Sequence, residues 1–244
     1  MAGIVDWESI EDRLRRPKKP YVVAGIDDAI VDAWRTYRTD LHEMQPDAYV
    51  EVWIEKDALS SIVSRVTDPY CIRLMVNRGY SSISAMYDAS KRFLRHGMKQ
   101  GKNCVILYFG DHDPSGKDMV RDIKERLSEM GVDLEVRQCA LNMDQIKKYN
   151  PPPDPAKITD PRAKWYIEQY GDKSWELDAL RPEVLAALVT KNVESVIDVG
   201  LHERAVKSES NDRDKIWELS QRVKDKGIDV FLNGIDREDD EDGD

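Results

Sequence analysis

Residues 49–141 alternate between strand-like and helix-like patterns, and this alternation limits the possible folds more than any other feature. The strand-like segments read YVEVWIE, CIRLMV, CVILYF and VDLEVRQCAL. The segments between them read ALSSIVSRV, SSISAMYDASKRFLRHG and GKDMVRDIKERLSEMG, with apolar residues at helical spacing. The alternation predicts an α/β fold with a parallel or mostly parallel sheet and helices on both of its faces.

Helical patterns also flank this region on both sides. An apolar stripe predicts an N-terminal helix over residues 26–45, with the members Ile26, Ile30, Trp34, Tyr37, Leu41 and Met44. Residues 142–173 are less regular and contain NPPPDPAKITDPRAK, which its prolines make an extended loop. RPEVLAALVTKNVESVIDVG predicts a helix with Pro182 in its first turn, and residues 203–226 predict a charged helix.

Composition and charge narrow the class of protein. Hydrophobic residues make up 41% of the 244 and charged residues 34%, which is typical of a soluble globular protein. No apolar run approaches the roughly 20 residues that span a bilayer, and the N-terminus lacks the apolar part of a secretory signal. We therefore expect a cytoplasmic protein with no membrane partner. Its three cysteines, Cys71, Cys104 and Cys139, are too far apart to indicate a disulfide framework or a zinc site.

The net charge of -10 is a weak argument against nucleic acid as a partner. Much of it lies in the last nine residues, DREDDEDGD, which predict a disordered acidic tail. The remaining body is mildly acidic and can carry a basic face. A basic cluster near the N-terminus, RLRRPKK, is either a solvated linker or an arm that contacts phosphates.

Acidic residues follow two of the predicted strands. Glu55 ends the first strand, while Asp111 and Asp113 follow the third strand directly after Gly110. Ligands of open α/β sheets bind beyond the carboxyl ends of the strands, so these side chains are expected to converge if the strands are neighbours. Converging carboxylates repel one another unless a cation lies among them, and such hard oxygen ligands suit Mg²⁺ or Mn²⁺. Ser115 is expected to cap the helix that follows.

Two other interpretations of the stretch YFGDHDPSGKD need comparison. An EF-hand calcium loop requires a preceding helix and a Glu at its twelfth position, whereas here a strand precedes and Asp122 holds that position. An acidic surface turn without function remains open for the short motif by itself. The presence of Glu55 at the end of an earlier strand favours the metal site.

The segments VEVWIEKDAL, LMVNRGYSS and VILYFGDHDPSG, in this order, resemble the Toprim arrangement. Topoisomerases, bacterial-type primases and a group of nucleases share that arrangement. The likeness is greatest to the topoisomerase VI A subunit and its meiotic double-strand-break relatives, and phage and prophage proteins carry similar strings. NMDQIKKY, AKITDPRAKW and WELDAL also resemble segments that follow Toprim in this group, so the likeness covers about residues 49–200.

The resemblance implies roles for particular residues. Glu55 would act as general acid or base, and it would bind metal together with Asp111 and Asp113, the metal being Mg²⁺ or Mn²⁺. Phosphate contacts are expected from basic residues, for each of which a solvated surface charge is the alternative: Lys56, Arg78, Lys117, Arg162 and Lys164. Glu176 and Asp178 would add a metal ligand or form a structural turn.

The chain also departs from the family. The topoisomerase A subunit carries its nucleophilic tyrosine on a winged-helix domain ahead of Toprim, and the 48 residues here, with Tyr21 and Tyr37, are too few for that domain. No Cys-rich zinc module supports a primase. The expected organisation is a basic arm and helix, a Toprim domain with a topoisomerase VI A-like extension, a C-terminal helix and the acidic tail, over residues 1–48, 49–200, 201–235 and 236–244.

Three possible functions follow from the resemblance and from the family features that this chain lacks. The first is a Mg²⁺-dependent, nuclease-like enzyme that cleaves DNA with water as the attacking group. The second is a subunit of a topoisomerase VI-like complex, whose tyrosine or ATPase lies on a separate chain. The third is a non-catalytic DNA-binding module. A homodimer is a further expectation, because relatives in this class often dimerise.

Overall fold

The computed structural model of the chain describes residues 20–77, 79 and 81–228. Its described residues divide into two compact units, Thr39–Glu209 and a smaller unit formed by residues 20–38 and 210–228. The predicted phosphate contact Arg78, the N-terminal basic cluster and the acidic tail lie outside the described residues.

A four-stranded parallel sheet forms the centre of the larger unit. Its strands are β1 (Ala48–Ile54), β2 (Arg73–Val76), β3 (Asn103–Phe109) and β4 (Glu135–Ala140), in the order β2-β1-β3-β4. All three strand pairs are parallel. The crossovers contain α2 (Ser60–Thr67), α3 (Ile83–Arg92) and α4 (Pro114–Glu129). The predicted α/β class and parallel sheet are confirmed, and the arrangement is compatible with a Rossmann-like fold.

Alternate residues of the central strands face two separate cores, as the two-residue period of a strand requires. Val50 and Val52 of β1 pack in one core with Val189 of α7 (Pro182–Glu194). Tyr49 and Trp53 of the same strand pack in the other core, which also contains residues of α3 and α4. The sheet is therefore covered by helices on both faces.

The segment after β4 is more regular than its sequence pattern indicates. It contains α5 (Met143–Tyr149), α6 (Ala163–Tyr170) and a short antiparallel pair, β5 (Asp154–Pro155) with β6 (Lys173–Ser174). The helix α8 (Val199–Lys226) follows α7. α5 begins with a capping box between Asn142 and Gln145, a local signal that the sequence pattern of apolar residues does not include.

The N-terminal helix is shorter than predicted. α1 spans Ile26–Thr36 and contains no buried residue, so the apolar stripe of its sequence does not form a core face. The predicted continuation to residue 45 is wrong, because the chain leaves the helix at Tyr37 and Leu41 is buried instead. Within the smaller unit, Trp34 of α1 contacts Trp217 of α8 with ring centroids 4.6 Å apart.

None of the helices in the described part of the chain is both long enough and apolar enough to cross a bilayer.

Candidate active site

Glu55 and Asp111 meet at the carboxyl end of the sheet because β1 and β3 are neighbouring parallel strands. Ile54 pairs with Phe109 at the last register position, and the Glu55 N–H donates to the Phe109 carbonyl at 3.0 Å. Glu55 Oε2 accepts a hydrogen bond of 2.9 Å from the Asp111 N–H. The convergence expected from the sequence is therefore present for these two residues.

Asp111 is a largely buried carboxyl group, with 7% of the residue exposed. Its Oδ1 accepts from the Leu177 N–H at 2.7 Å, and its Oδ2 lies 3.5 Å from Lys56 Nζ. Burial and the nearby charge of Glu55 raise the pKa of Asp111 to about 7, although the Leu177 N–H and Lys56 oppose the shift. At this carboxyl group, burial and the charge of Glu55 therefore outweigh the contact with Lys56.

The pKa of Glu55 is also raised. Burial raises its pKa above the usual range, the hydrogen bond from the Asp111 N–H opposes the shift, and the charge of Asp113 adds to it. Tyr108 contributes a hydroxyl 3.4 Å from Glu55 Oε2. A carboxyl group whose pKa is raised toward neutrality is suited to both accepting and donating a proton.

Asp113 caps α4. Its Oδ1 accepts from the Gly116 N–H at 2.6 Å, and the helix begins at Pro114. The expectation that Ser115 caps the helix is wrong, because the helix begins one residue before that serine. Asp113 also raises the pKa of both Asp111 and Glu55 through its charge, so all three predicted carboxylates interact.

Gly116 is required by a close approach of two backbone segments. A Cβ at this position would overlap the carbonyl oxygen of Asp111, so only glycine lets the first turn of α4 lie against the turn that carries the aspartates. Gly110 likewise leaves room for the ring of Tyr108, and its backbone is not in the left-handed region. The glycines of FGDHDPSG thus serve packing.

The WELDAL segment supplies two further carboxylates. Lys56 Nζ lies 2.7 Å from a Glu176 oxygen and 2.8 Å from an Asp178 oxygen, in addition to its contact with Asp111. Burial alone would lower the pKa of Lys56, but the hydrogen bonds to Asp178 and Glu176 outweigh that effect and raise it. Lys56, predicted to contact phosphate, is a cation held among three carboxylates.

Backbone hydrogen bonds fasten the WELDAL segment to the aspartate turn. The His112 N–H donates to the Trp175 carbonyl at 2.8 Å, and the Trp175 N–H donates to the His112 carbonyl at 3.0 Å. Together with the bond from Leu177 to Asp111, they fix the distance between the two acidic segments.

His112 is fully buried behind the two aspartates. The Tyr166 hydroxyl lies 2.8 Å from the His112 carbonyl, 2.9 Å from the Lys173 carbonyl and 2.7 Å from His112 Nδ1. Carbonyl oxygens only accept, so the single phenolic hydrogen goes to one of them and Nδ1 carries the hydrogen that it donates to Tyr166. Burial and the charge of Lys117 lower the pKa of His112 to about 4, so the imidazole is neutral near pH 7. The sequence gives no signal for His112 or Tyr166 beyond the position of His112 between the aspartates.

The other predicted phosphate contacts lie on α4 and at the start of α6. Lys117 donates to Gln138 Oε1 at 3.2 Å, and burial lowers its pKa to about 8. Arg162 forms ion pairs with Asp160 at 2.7 Å and Asp118 at 3.2 Å. Lys164 is exposed. Of the three, Lys117 lies nearest to Asp113 in the sequence, and its N–H donates to the Asp113 carbonyl.

The donor chemistry of the site fits a hard divalent cation. In the portion of the chain that the structure describes, no three His, Cys, Asp or Glu side chains are already arranged around one metal position. However, Mg²⁺ usually retains several waters and needs only one or two carboxylates together with substrate phosphates. Glu55 Oε1 and Asp113 Oδ2 have no hydrogen-bond donor among the described residues, so both are available as ligands.

Comparison with known proteins adds no relative: no family model matches the chain, and neither a curated protein nor a solved structure is significantly similar to it. The Toprim resemblance therefore remains a prediction, and the α/β sheet with its carboxylate edge is what the structure itself establishes.

Proposed function

We propose that this chain is a Mg²⁺-dependent enzyme of the Toprim class that cleaves DNA phosphodiester bonds, with water as the attacking group. One observation carries the proposal. The predicted Glu55, Asp111 and Asp113 interact at the carboxyl end of adjacent parallel strands, where the pKa of Asp111 is raised to about 7. A buried carboxylate cluster with excess negative charge is a typical site for a cation and for proton transfer.

Each residue has a role in this proposal. Asp111, Asp113 and Glu55 would hold Mg²⁺ or Mn²⁺, with Glu55 Oε1 and Asp113 Oδ2 as the oxygens that no described hydrogen-bond donor contacts. The bound ion would stabilise the negative charge that develops on the phosphate. Glu55 accepts a proton from the attacking water or donates one to the leaving oxygen, for which its raised pKa is suited. Lys117, Arg162 and Lys164 are proposed to orient the phosphate backbone.

Nicking of a supercoiled plasmid in Mg²⁺ or Mn²⁺ tests the proposal. Asp111→Asn is expected to lower the nicking rate by about 100-fold or more, the range for loss of general acid–base or metal-binding function. Asp133→Asn is the matched control, since Asp133 is exposed and precedes β4 at the opposite edge of the sheet. Wild-type activity in Asp111→Asn, or in Asp113→Ala, would exclude this site.

The alternative function differs in the attacking group. Tyr108 is the tyrosine whose hydroxyl contacts Glu55, but burial raises its pKa and it is fully buried, which disfavours it as a nucleophile. In the alternative, a tyrosine or ATPase comes from a separate subunit of a topoisomerase VI-like complex. A denaturant-resistant protein–DNA adduct that forms only with such a partner would favour it. Full activity of the isolated chain favours water.

A non-catalytic DNA-binding module is the third proposal, and calorimetry decides it. Binding of Mg²⁺ that is lost in Asp111→Asn supports the enzyme, whereas no binding supports the module. A cytoplasmic location and a homodimer, both expected from the sequence, belong to the proposed function as well.

A further inference from the structure

A cavity of about 370 Å³ lies between α4 and the start of α6, and the carboxylate site does not include it. Its lining consists of Lys117, Asp118, Arg121, Arg162 and Trp165. The volume falls at the lower end of the range for small-molecule pockets, which suits a ligand of nucleotide size. Three of the five lining residues are cationic at neutral pH, and Asp118 is the acid among them.

Ion pairs hold the polar wall of this pocket in place. Asp118 accepts from Arg121 at 2.7 Å and from Arg162 at 3.2 Å, which links α4 to the segment that begins α6. Asp160 binds Arg162 from its other side at 2.7 Å. Glu125 also accepts from Arg121, so these ion pairs fix the positions of both guanidinium groups at the pocket wall.

Trp165 supplies a flat apolar surface to the same pocket. Its residue is 49% exposed, and its ring meets Tyr170 edge-on with centroids 6.2 Å apart. The next residue of α6, Tyr166, is fully buried and fills the space behind His112. Tyr166 therefore packs in the core, whereas the indole of Trp165 remains half exposed to solvent. An aromatic face beside cations is the usual platform on which unpaired bases stack.

The pocket lies close to the carboxylates along α4. The Lys117 N–H donates to the Asp113 carbonyl at 3.1 Å, so the backbones of the aspartate and of the first pocket residue lie one helical turn apart, about 5.4 Å along α4. That distance is on the scale of the spacing between neighbouring nucleotides in a strand, about 3.4 Å in a duplex and longer when extended. The carboxylate site and the pocket therefore share the first turn of α4.

We propose that this pocket binds one unpaired nucleobase of a nucleic-acid strand, next to the phosphate that the carboxylate site cleaves. The base stacks on Trp165, and the adjacent phosphate contacts Lys117 and Arg162. A base inside a duplex exposes only its edges, so the pocket selects single-stranded or locally opened substrate. The inference rests on the proposed DNA-cleaving function and adds the form of the substrate.

The test measures binding separately from cleavage. Fluorescence anisotropy of a labelled 12-residue oligothymidylate in EDTA gives the dissociation constant of the full chain. Trp165→Ala is expected to weaken binding by about 5- to 150-fold, the effect of losing one base stack, and Trp165→Phe by much less. Tyr87→Ala is the matched control, because Tyr87 is an exposed aromatic residue beside Lys91 and lies outside the pocket. It is expected to bind as the wild type does.

An oligonucleotide of the same length without bases identifies the contact. Its affinity for wild type and for Trp165→Ala is expected to agree within about twofold, since there is no base to stack. Thymidine monophosphate, the free form of the same chemistry, is expected to compete only at far higher concentration. Equal affinity for the mononucleotide and the oligonucleotide would overturn the assignment to a strand.

Three results would overturn the base pocket. The first is that Trp165→Ala binds the oligothymidylate as tightly as the wild type does. The second is that Trp165→Ala loses as much affinity for the abasic strand as for the oligothymidylate. The third is that blunt duplex binds as tightly as the oligothymidylate and loses as much affinity in Trp165→Ala. If any of these results is found while nicking still depends on Asp111, the pocket does not bind a base and the proposed function stands. A base-dependent effect of Trp165→Ala in a chain that never cleaves DNA would remove the proposed function instead.

Discussion

Asp113 has two roles that single substitutions can separate. Its Oδ1 caps α4, and its other oxygen is available to a cation. Asp113→Asn keeps an oxygen for the Gly116 N–H, so we expect the free energy of unfolding to change by less than about 0.5 kcal/mol. Asp113→Ala removes the cap and is expected to cost about 0.5–2 kcal/mol. Urea unfolding measures both values, and plasmid nicking should be lost in both variants.

The asparagine variant decides between the structural and the functional interpretation. If Asp113→Asn nicks DNA at the wild-type rate, the aspartate is only a cap. If Asp113→Ala is as stable as the wild type, the contact with Gly116 contributes nothing to α4.

Asp111 should make stability depend on pH in an unusual direction. Its pKa is about 7 in the fold and near 4 in the unfolded chain, so the folded state binds the extra proton between these values. Stability from this group is therefore gained as pH falls from 7 toward 4 and lost as pH rises. Asp111→Asn removes the cost of the buried charge, and its stability relative to wild type should increase by at most about 1.4 kcal/mol per pH unit across that window.

Unfolding of wild type and Asp111→Asn in urea at a series of pH values measures this difference. The comparison is needed because His112, whose pKa is lowered to about 4, changes stability in the opposite direction in both proteins. A difference between the two proteins that is the same at pH 4.5 and pH 8 would show that Asp111 titrates normally.

At the scale of elements, local patterns predicted the sheet and its acidic edge but not the parts that long-range contacts stabilise. The run CVILYF forms β3, which is buried on both faces. The sequence also predicts that Glu55 and Asp111 lie at the same edge of the sheet, because parallel strands align their carboxyl ends. The sequence pattern does not predict α6, because its buried residues are only Ala163 and Tyr166, and Tyr166 packs against His112, 54 residues away in the chain. The spacing of apolar residues within a short segment cannot indicate a contact with a distant segment.

Gly116 gives a test of the packing between α4 and the aspartate turn. Alanine favours a helix over glycine by about 1 kcal/mol, yet Gly116→Ala would push its Cβ into the Asp111 carbonyl. We expect a net loss of about 1–3 kcal/mol, as for overpacked cores, together with reduced nicking as the carboxylates move apart. Thermal or urea unfolding gives the loss directly.

Gly200 is the matched control for this substitution. It lies in α8, and a Cβ there would meet only side-chain atoms of Arg204 and Asp198 at 3.4 Å. Gly200→Ala is expected to be neutral or to stabilise the protein by up to about 1 kcal/mol. A stable Gly116→Ala variant would mean that the turn can move without cost.

At the scale of the whole molecule, charge sets a limit on how the chain meets nucleic acid. The net charge is -10, and the acidic edge of the sheet adds Glu176 and Asp178 to the three predicted ligands. Lys56 is the cation that these two carboxylates share, so a phosphate approaching the site meets a negative field before any divalent ion binds.

This field predicts that removing the carboxylates strengthens binding in the absence of metal. Two unit charges about 8 Å apart in water repel by about 0.5 kcal/mol, so neutralising three ionised carboxylates, at a pH well above the Asp111 pKa of about 7, should tighten binding by about 10-fold. The variant Glu55→Gln/Asp111→Asn/Asp113→Asn should therefore bind the oligothymidylate more tightly than wild type in EDTA at low salt. The gain should shrink in 0.5 M salt, where screening shortens the reach of the charges, and Asp133→Asn should show none. Equal or weaker binding by the triple variant would mean that the phosphate does not approach these carboxylates, which would place cleavage elsewhere on the molecule.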